Sequence, residues 1–261
     1  MKSFFLKIVP IVACAALFFN FYKNDKKAEL KPTSTTFQGK STSKADKSFA
    51  VLELFTSEGC SSCPSADEIL RGVADDDNVF ALSFQVTYWN RLGWKDPFSQ
   101  KIFDERQYSY ATKFKKEGVY TPQLVVNGHD EFVGSNKNKV QKSIENALAE
   151  AGKTEINLTQ TKENETFKIN FQLTGETKNT SLNFAIVERN LTSKVTRGEN
   201  GGRVLKHDNV VRHFETVKIG SNTEGVVSVK IDANWQLENC SIVAYLQDDS
   251  WKILGANKLK F

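Results

Sequence analysis

The feature that most constrains the fold is a Cys-x-x-Cys pair set between a strand pattern and a helix pattern. Residues 49–55 form a short continuous apolar run, which is typical of a strand covered on both faces. Cys60 and Cys63 follow, and Pro64 fits the first turn of a helix, where a missing N–H costs least. Helical spacing then marks one apolar face, formed by Ala66, Ile69, Leu70 and Val73. The sequence therefore predicts both cysteines at a strand-to-helix junction.

The following residues continue an alternation of strands and helices. A second apolar run, 79–86, predicts a strand, and residues 98–116 predict a helix. Pro122 leads a further strand that ends in an Asn-Gly turn, and residues 131–134 form its hairpin partner. Apolar spacing over residues 140–148 predicts a closing helix. The predicted order is βαβαββα.

This order, the cysteine pair and the proline before the third strand resemble the thioredoxin fold. The segments LELFTSEGCSSCPSAD, VTYWNRLGWKDPFS, VYTPQLVVNG and RGENGGRVLKHDNVVR resemble a bacterial secreted family catalogued as domain of unknown function 1223. The resemblance implies an α/β thioredoxin-like domain over residues 49–152. It also implies that Thr121 and a cis Pro122 lie against the cysteines and pair with an extended substrate. It supplies no reaction, because the family is named for lacking one.

The second half of the chain has a different period. Apolar and polar residues alternate in several segments beyond residue 153, which predicts antiparallel strands. The predicted fold class is therefore an α/β thioredoxin-like domain followed by an all-β antiparallel sandwich domain over residues 153–261. Cys240 lies in an apolar strand and is predicted to be a buried core residue, with a third redox thiol as the alternative.

The position of the cysteines predicts redox chemistry. A helix N-terminus lowers the pKa of a nearby thiol, so Cys60 is the predicted nucleophile and Cys63 the resolving thiol that closes a Cys60–Cys63 disulfide. Glu58 places negative charge nearby, which opposes thiolate formation. The predicted function is a thiol–disulfide oxidoreductase without cofactor or metal. The alternatives are a non-catalytic binding module with a structural disulfide and a copper-handling protein, since two thiolates satisfy Cu(I).

Aromatic and charged residues near the pair are further candidates. Trp89 and Trp94 follow the second strand and are predicted to bind substrate beside Cys60, unless they pack the following helix. Glu53 is a candidate proton relay, with a paired carboxylate as the alternative, and Arg106 and Gln107 are candidates for the same face.

A long connection, residues 189–224, also invites a functional interpretation. It is either a flap that closes over the cysteines or a mobile loop with a short helix. If His207 meets Cys60, it is a candidate proton donor.

The N-terminal residues predict export. Residues 1–22 are apolar with flanking lysines and are predicted to be a signal peptide or a membrane anchor, with lipidation of Cys14 as an alternative. Residues 23–48 are predicted to be a flexible tether. The protein is therefore expected in the periplasm or anchored to the inner membrane facing it. That compartment is oxidising, so paired cysteines can form disulfides there.

The distribution of charge argues against one class of partner. Nine lysines and three acidic residues give residues 1–48 a charge of +6, so the +4 of the whole chain leaves −2 on the remainder. A near-neutral body lacks the electrostatic footprint of a nucleic-acid-binding protein. The predicted partner is a protein or small-molecule thiol or disulfide substrate.

Overall fold

Strands account for more of the described residues than helices. The computed structural model describes residues 48–261, which lie in one compact unit. The α-helices in this range are α1 (Cys63–Val73), α2 (Lys101–Lys113) and α3 (Lys137–Leu148). The strands are β1 (Ala50–Thr56), β2 (Val79–Gln85), β3 (Gln123–Val126), β4 (Asp130–Val133), β5 (Thr154–Glu163), β6 (Thr166–Gly175), β7 (Thr180–Glu188), β8 (Leu191–Lys194), β9 (Val204–His207), β10 (Val210–Ile219), β11 (Glu224–Lys230), β12 (Cys240–Asp248) and β13 (Ile253–Lys260). Short 3₁₀ helices span Tyr88–Leu92 and Leu237–Asn239.

A single mixed sheet of eight strands runs through the described residues. Its strand order is β13-β12-β7-β10-β2-β1-β3-β4. The first half of the chain supplies β1 to β4, with β1 and β2 parallel, and the second half supplies four antiparallel strands. The two sets join where Val210 of β10 pairs in parallel with Ser83 of β2. The Ser83 N–H donates to the Asn209 carbonyl at 2.9 Å, which reinforces this junction.

Three apolar clusters cover the two faces of this sheet. In β1, Val51 and Phe55 belong to the cluster that contains Phe103 and Tyr110 of α2, whereas Leu54 belongs to the cluster that contains residues of α1 and α3. Because side chains alternate along a strand, α2 lies opposite the other two helices. The α2 cluster continues into the second half through residues of β7, β10 and β12. A separate three-stranded sheet, β11-β6-β5, packs its apolar side on β7, β12 and β13.

The predicted fold class is wrong. The order of elements over residues 49–148 is the predicted βαβαββα, apart from an added 3₁₀ turn. However, the protein does not consist of an α/β thioredoxin-like domain followed by an all-β antiparallel sandwich, because strands from both halves share one large mixed sheet. A period of two in the sequence identifies a strand, but it does not show which strand lies beside it in the sheet. The alternation in β7 suggested one exposed face, yet nearly every residue of β7 is buried at the centre of this sheet.

Two predictions fall outside the described residues. The predicted signal peptide or anchor over residues 1–22 and all of the predicted tether except Ser48 lie there, as does Cys14. Within residues 48–261, no helix has both the length and the apolar composition needed to cross a membrane.

Candidate functional site

The cysteine turn, residues 57–63, connects β1 to α1. Cys60 and Cys63 form a disulfide with 5.4 Å between their Cα atoms, which confirms the predicted pairing. The Cys60 N–H donates to the Ser57 carbonyl at 3.2 Å, and the Cys63 N–H donates to the Cys60 carbonyl at 3.3 Å. Cys60 is 1% exposed and Cys63 is fully buried, whereas Ser61 and Ser62 between them are exposed. The disulfide therefore lies directly beneath an exposed serine pair.

The N-terminus of α1 at the disulfide lacks a side-chain cap. Ser62 is the N-cap residue of α1, but its hydroxyl makes no capping hydrogen bond, and the first turn of α1 holds no acidic residue. Instead, the Ser62 hydroxyl lies 3.4 Å from Cys60 Sγ. The positive end of the helix dipole is thus available to a negative charge on Cys60.

The structure brings several of the predicted site residues to one side of the disulfide. Cys60 Sγ lies 3.9 Å from the Thr121 carbonyl oxygen, and the Thr121–Pro122 peptide bond is cis. Trp89 donates its indole N–H to the Thr121 hydroxyl at 2.8 Å. A Cβ at Gly59 would lie 2.8 Å from Trp89 Cβ and 3.3 Å from the Trp89 carbonyl oxygen, so the base of the Trp89 side chain packs directly against the cysteine turn. Trp89 and Thr121 therefore lie beside the cysteine turn, and Thr121 precedes a cis Pro122, as the resemblance to the thioredoxin fold implied.

Trp94 and Gln107 have different neighbours. Trp94 donates its indole N–H to Glu58 Oε2 at 2.7 Å and is half-buried. Gln107 donates to the Tyr120 carbonyl at 2.7 Å and to Gln123 Oε1 at 2.9 Å, so it supports the segment that carries Thr121. Substrate binding by the two tryptophans stays a prediction.

A buried group of titratable side chains lies beside the cysteine turn. This acidic cluster consists of Glu58, Asp67, Asp96 and His207. His207 Nε2 lies 3.0 Å from Glu58 Oε1, and His207 Nδ1 lies 3.8 Å from Asp67 Oδ2. Asp96 accepts the backbone N–H of Glu58 at 3.0 Å and that of Phe98 at 2.9 Å. Within residues 48–261, no group of three or more His, Cys, Asp or Glu side chains is arranged to hold a metal ion.

Glu58 and His207 form a buried ion pair. Burial raises the pKa of Glu58, but hydrogen bonds with His207, Ser193 and Trp94 outweigh it and hold that pKa below 4.5. Burial likewise lowers the pKa of His207, but the Glu58 hydrogen bond and the charges of Asp67, Glu58 and Asp96 outweigh it and raise that pKa above 6.5. The negative charge of Glu58, which was expected to oppose a Cys60 thiolate, is therefore compensated by an imidazolium.

The other two carboxyl groups of the acidic cluster hold their protons more tightly. Burial raises the pKa of Asp67 to about 6, against the opposing charge of His207. Burial and the charge of Glu58 raise the pKa of Asp96 to about 7. The cluster thus contains groups that titrate close to neutral pH.

The second half of the chain covers the cysteine turn with a loop. This covering loop, residues 197–203, is anchored by Asn200, whose buried amide donates to the carbonyls of Glu58 at 2.9 Å and Cys60 at 2.8 Å. Glu199 accepts the Ser61 N–H at 2.8 Å. The alternative prediction was a mobile loop with a short helix. Its helix is wrong, because residues 189–224 contain the strands β8, β9 and β10. His207 reaches Glu58 in the cysteine turn.

Glu53 lies in a different environment. It is fully buried and pairs with Arg106 Nε and Nη2, and it accepts the Tyr110 hydroxyl at 2.6 Å. Arg106 is also enclosed by aromatic rings, namely those of Phe84, Tyr110, Phe214, Tyr245 and Trp251. The partners of Glu53 lie on the α2 face of the sheet. Glu53 is therefore a paired carboxylate, which was the alternative to the predicted proton relay.

Comparison with known proteins identifies the family. A family model described as "Protein of unknown function (DUF1223)" matches residues 51–247. The chain belongs to the DUF1223 family. The resemblance in the sequence motifs is thereby confirmed, and the matched range contains the cysteine turn, the acidic cluster and the covering loop of this DUF1223 protein.

Solved structures agree with the fold of the DUF1223 chain. A structural-genomics crystal structure from Agrobacterium tumefaciens matches with a TM-score of 0.62 and 27% identity, over 83% of this chain and 96% of that one. HBP35 of Porphyromonas gingivalis matches with a TM-score of 0.59 and 17% identity, over 82% of this chain and 75% of that one, and this likeness concerns the fold alone. No curated protein matches the chain.

Three site residues of the DUF1223 chain were missed from the sequence. Asp67 had a usable signal, because it lies four residues after Cys63 and so falls on the buried side of α1. Asp96 and Asn200 had none, since their contacts with the cysteine turn span 38 and 140 residues of sequence. Such contacts follow from tertiary packing.

Cys240 is a free, buried cysteine of the apolar core, as predicted. Its Sγ lies 3.3 Å from the Gln236 carbonyl oxygen. Burial and the charge of Glu188 raise the pKa of its thiol to about 12, which disfavours the reactive thiolate.

Proposed function

We propose that this DUF1223 protein is a thiol–disulfide oxidoreductase that acts through Cys60 and Cys63. The observation that carries the proposal is the disulfide at the uncapped N-terminus of α1, with a neighbouring carboxylate already neutralised by His207. A thiolate on Cys60 at this position is stabilised by the helix dipole.

The small size of the disulfide ring also supports a chemical role. Cross-linking stabilises a protein by restricting the unfolded chain, and the effect grows with the length of the closed loop. With only two residues between the cysteines, the expected stabilisation is about 2 kcal/mol. A purely structural bridge would gain more from a longer separation.

The proposed reaction is a reversible exchange with a dithiol substrate. A substrate thiolate attacks Cys60 Sγ, the Cys60–Cys63 bond breaks, and Cys63 leaves as a thiolate that then takes a proton. The second substrate thiol loses its proton, and its thiolate attacks the substrate sulfur of the mixed disulfide with Cys60. Cys60 is released as a thiolate, and the substrate leaves as a disulfide. Two electrons pass from substrate to protein, so the substrate is oxidised, and the reverse sequence reduces a disulfide substrate.

The substrate and the compartment are part of the proposal. A protein or small-molecule thiol or disulfide would approach past Ser61 and Ser62, the exposed residues of the turn. Trp89 and Thr121 would border the reacting sulfur of Cys60. An exported location would supply an oxidising environment in which the disulfide persists.

The deciding experiment is the reduction potential of the pair in the full-length protein. With Cys14→Ser and Cys240→Ala in place, Cys60 and Cys63 are the two cysteines that remain. The protein is equilibrated in dithiothreitol or glutathione buffers, and alkylation then measures the reduced fraction of the pair. We expect a value within about −120 to −270 mV, the range of disulfide oxidoreductases. A value below about −300 mV would indicate a structural disulfide and overturn the proposal.

Cys60→Ser provides the matched functional test. We expect the variant to lose turnover of glutathione disulfide with dithiothreitol while keeping a cooperative unfolding transition. Loss of stability without any exchange activity in the parent protein would support the non-catalytic binding module instead.

A further inference from the structure

Asp67 lies one helical turn after Cys63 on the buried side of α1. Residues four apart share a helix face, and helical side chains lean toward the N-terminus, so this register directs Asp67 toward Cys63. Ala66 and Leu70 flank Asp67 on the same side and are buried. The Asp67 side chain is 10% exposed, which shields its carboxyl group from solvent.

The Asp67 carboxyl group is incompletely paired. Among the described residues, Asp67 Oδ1, the Thr56 hydroxyl and His207 Nδ1 are buried without a hydrogen-bond partner of ordinary geometry, although the Thr56 hydroxyl lies near enough to lower the pKa of Asp67. The 3.8 Å between His207 Nδ1 and Asp67 Oδ2 is an ion-pair distance, too long for a hydrogen bond. A buried polar atom without a partner destabilises the fold, so its presence calls for an explanation.

The remaining carboxyl groups of the acidic cluster are already engaged. Both Glu58 oxygens are used, one by Trp94 and one by His207. Both Asp96 oxygens accept backbone N–H groups. Asp67 is thus the carboxyl group of the cluster with an oxygen available for a new proton transfer.

We propose that Asp67 exchanges a proton with the thiol of Cys63 during disulfide exchange and that His207 controls the charge of Asp67. This inference rests on the proposed function and deepens it. When a substrate thiolate attacks Cys60 Sγ and the disulfide breaks, the Cys63 thiolate takes the proton of the Asp67 carboxyl group, which becomes a carboxylate. In the reverse direction, the Asp67 carboxylate removes the Cys63 proton, and the resulting thiolate attacks Cys60 Sγ and expels the substrate thiolate.

Charged groups face Asp67 from each packed element. His207 on β9 and Arg71 on α1 favour the carboxylate, whereas Glu58 in the cysteine turn favours the protonated acid. Asp96 faces His207 and favours its protonated form. The proton affinity of Asp67 therefore depends on the charge of His207.

The test is the pH profile of ring closure in the full-length protein. Reduced protein is mixed with glutathione disulfide, quenched with acid at intervals, and analysed by mass spectrometry for the glutathione adduct on Cys60. We expect closure by Cys63 in the wild type to accelerate through an inflection near pH 6, as Asp67 ionises. Asp67→Asn should slow closure at pH 7 about 100-fold, as loss of a positioned base does, and remove the inflection.

Matched variants separate proton transfer from a structural role. Glu68→Gln changes the exposed neighbour of Asp67 on the same helix and should leave the profile unchanged. Asp67→Glu should retain an inflection. His207→Gln should move the inflection to higher pH, because the imidazolium charge that lowers the pKa of Asp67 is lost. Circular dichroism and thermal unfolding of each variant verify the fold.

The outcomes distinguish this inference from the proposed function. If the wild type exchanges with glutathione disulfide but folded Asp67→Asn keeps the wild-type rate and profile, the role of Asp67 is refuted and the oxidoreductase stands. An unshifted inflection in folded His207→Gln refutes the control by His207. If the wild type shows no exchange, the proposed function fails, and the role of Asp67 with it.

Discussion

The carboxylates of Glu53 and Glu58 are both withdrawn from water, and their partners give them different roles. Glu53 meets a guanidinium enclosed by aromatic rings, a cation that cannot lose its proton at physiological pH. Glu58 meets an imidazole, which titrates near neutrality. The first pair is therefore a fixed structural contact, whereas the second responds to pH and lies two residues from Cys60.

Glu53→Gln should destabilise the protein without affecting its redox chemistry. Removing one partner of a buried ion pair leaves the other charge uncompensated, so we expect the free energy of unfolding to fall by roughly 3–5 kcal/mol. Urea unfolding measures this loss. The reduction potential of Cys60–Cys63 should remain that of the wild type, and a changed potential at unchanged stability would restore Glu53 as a proton relay.

The acidic cluster should make the protein less stable as pH rises from about 5 through 7 and on through the raised pKa of His207. His207 has a raised pKa in the folded state, so its contribution is complete below pH 6.5 and is lost as pH rises through the folded value. Asp67 and Asp96 act in the same direction, because the folded protein keeps their protons up to about pH 6 and 7. Glu58, with a lowered pKa, loses its contribution only below about pH 4.5.

Urea unfolding at several pH values measures this dependence. A free energy of unfolding that stays constant or increases with pH over this range would contradict the contributions assigned to His207, Asp67 and Asp96.

At the scale of elements, the cysteine turn is held by a loop from the other half of the chain. Asn200 satisfies the carbonyls of Glu58 and Cys60 with one amide, and Glu199 satisfies the N–H of Ser61. These bonds fix the backbone on both sides of Cys60. The covering loop therefore limits how far the turn can open to a substrate.

Asn200→Ala should make the disulfide easier to reach. The variant loses two hydrogen bonds of about 1 kcal/mol each, so we expect its disulfide to react with dithiothreitol roughly 10-fold faster. Quenched alkylation at fixed pH measures the rate. Asn234→Ala, in an exposed loop, is the matched control, and equal rates in the two variants would show that the covering loop does not limit access.

The elements of the first half were predictable because they are encoded locally. The apolar run of β1, the Cys-x-x-Cys pair and Pro122 each carry their signal within a few residues, and the family resemblance that they support implied that Thr121 lies beside Cys60. The neighbours of β7 and β10 in the sheet are set by packing between distant segments, which alternation along a strand does not encode. For the same reason, the sequence did not reveal Asp96 and Asn200 as site residues.

At the scale of the whole molecule, the junction of β2 with β10 unites the two halves. A single bridged residue pair marks the junction, but the apolar cluster on the α2 face extends across it from Phe55 and Phe84 to Val211 and Tyr245. Apolar burial stabilises at about 25 cal/mol per Å², so this shared cluster couples the halves more strongly than the bridge does.

We expect the described residues to unfold in one cooperative transition. Trp89 lies at the cysteine turn, whereas Trp235 packs against the core of the three-stranded sheet. Two variants, each with a single one of these tryptophans and with the other three tryptophans replaced by Phe, therefore report on different regions. Their fluorescence transitions in urea should coincide with the loss of circular dichroism. Two separated midpoints would show that the halves unfold independently.

The distance along the chain between the cysteines and Asn200 has a consequence for biosynthesis. A polypeptide is made from its N-terminus, so Cys60 leaves the ribosome 140 residues before Asn200. During that interval the nascent chain carries a cysteine pair that nothing from the second half shields. Oxidants and folding catalysts therefore meet these thiols in a more open state than the finished protein presents.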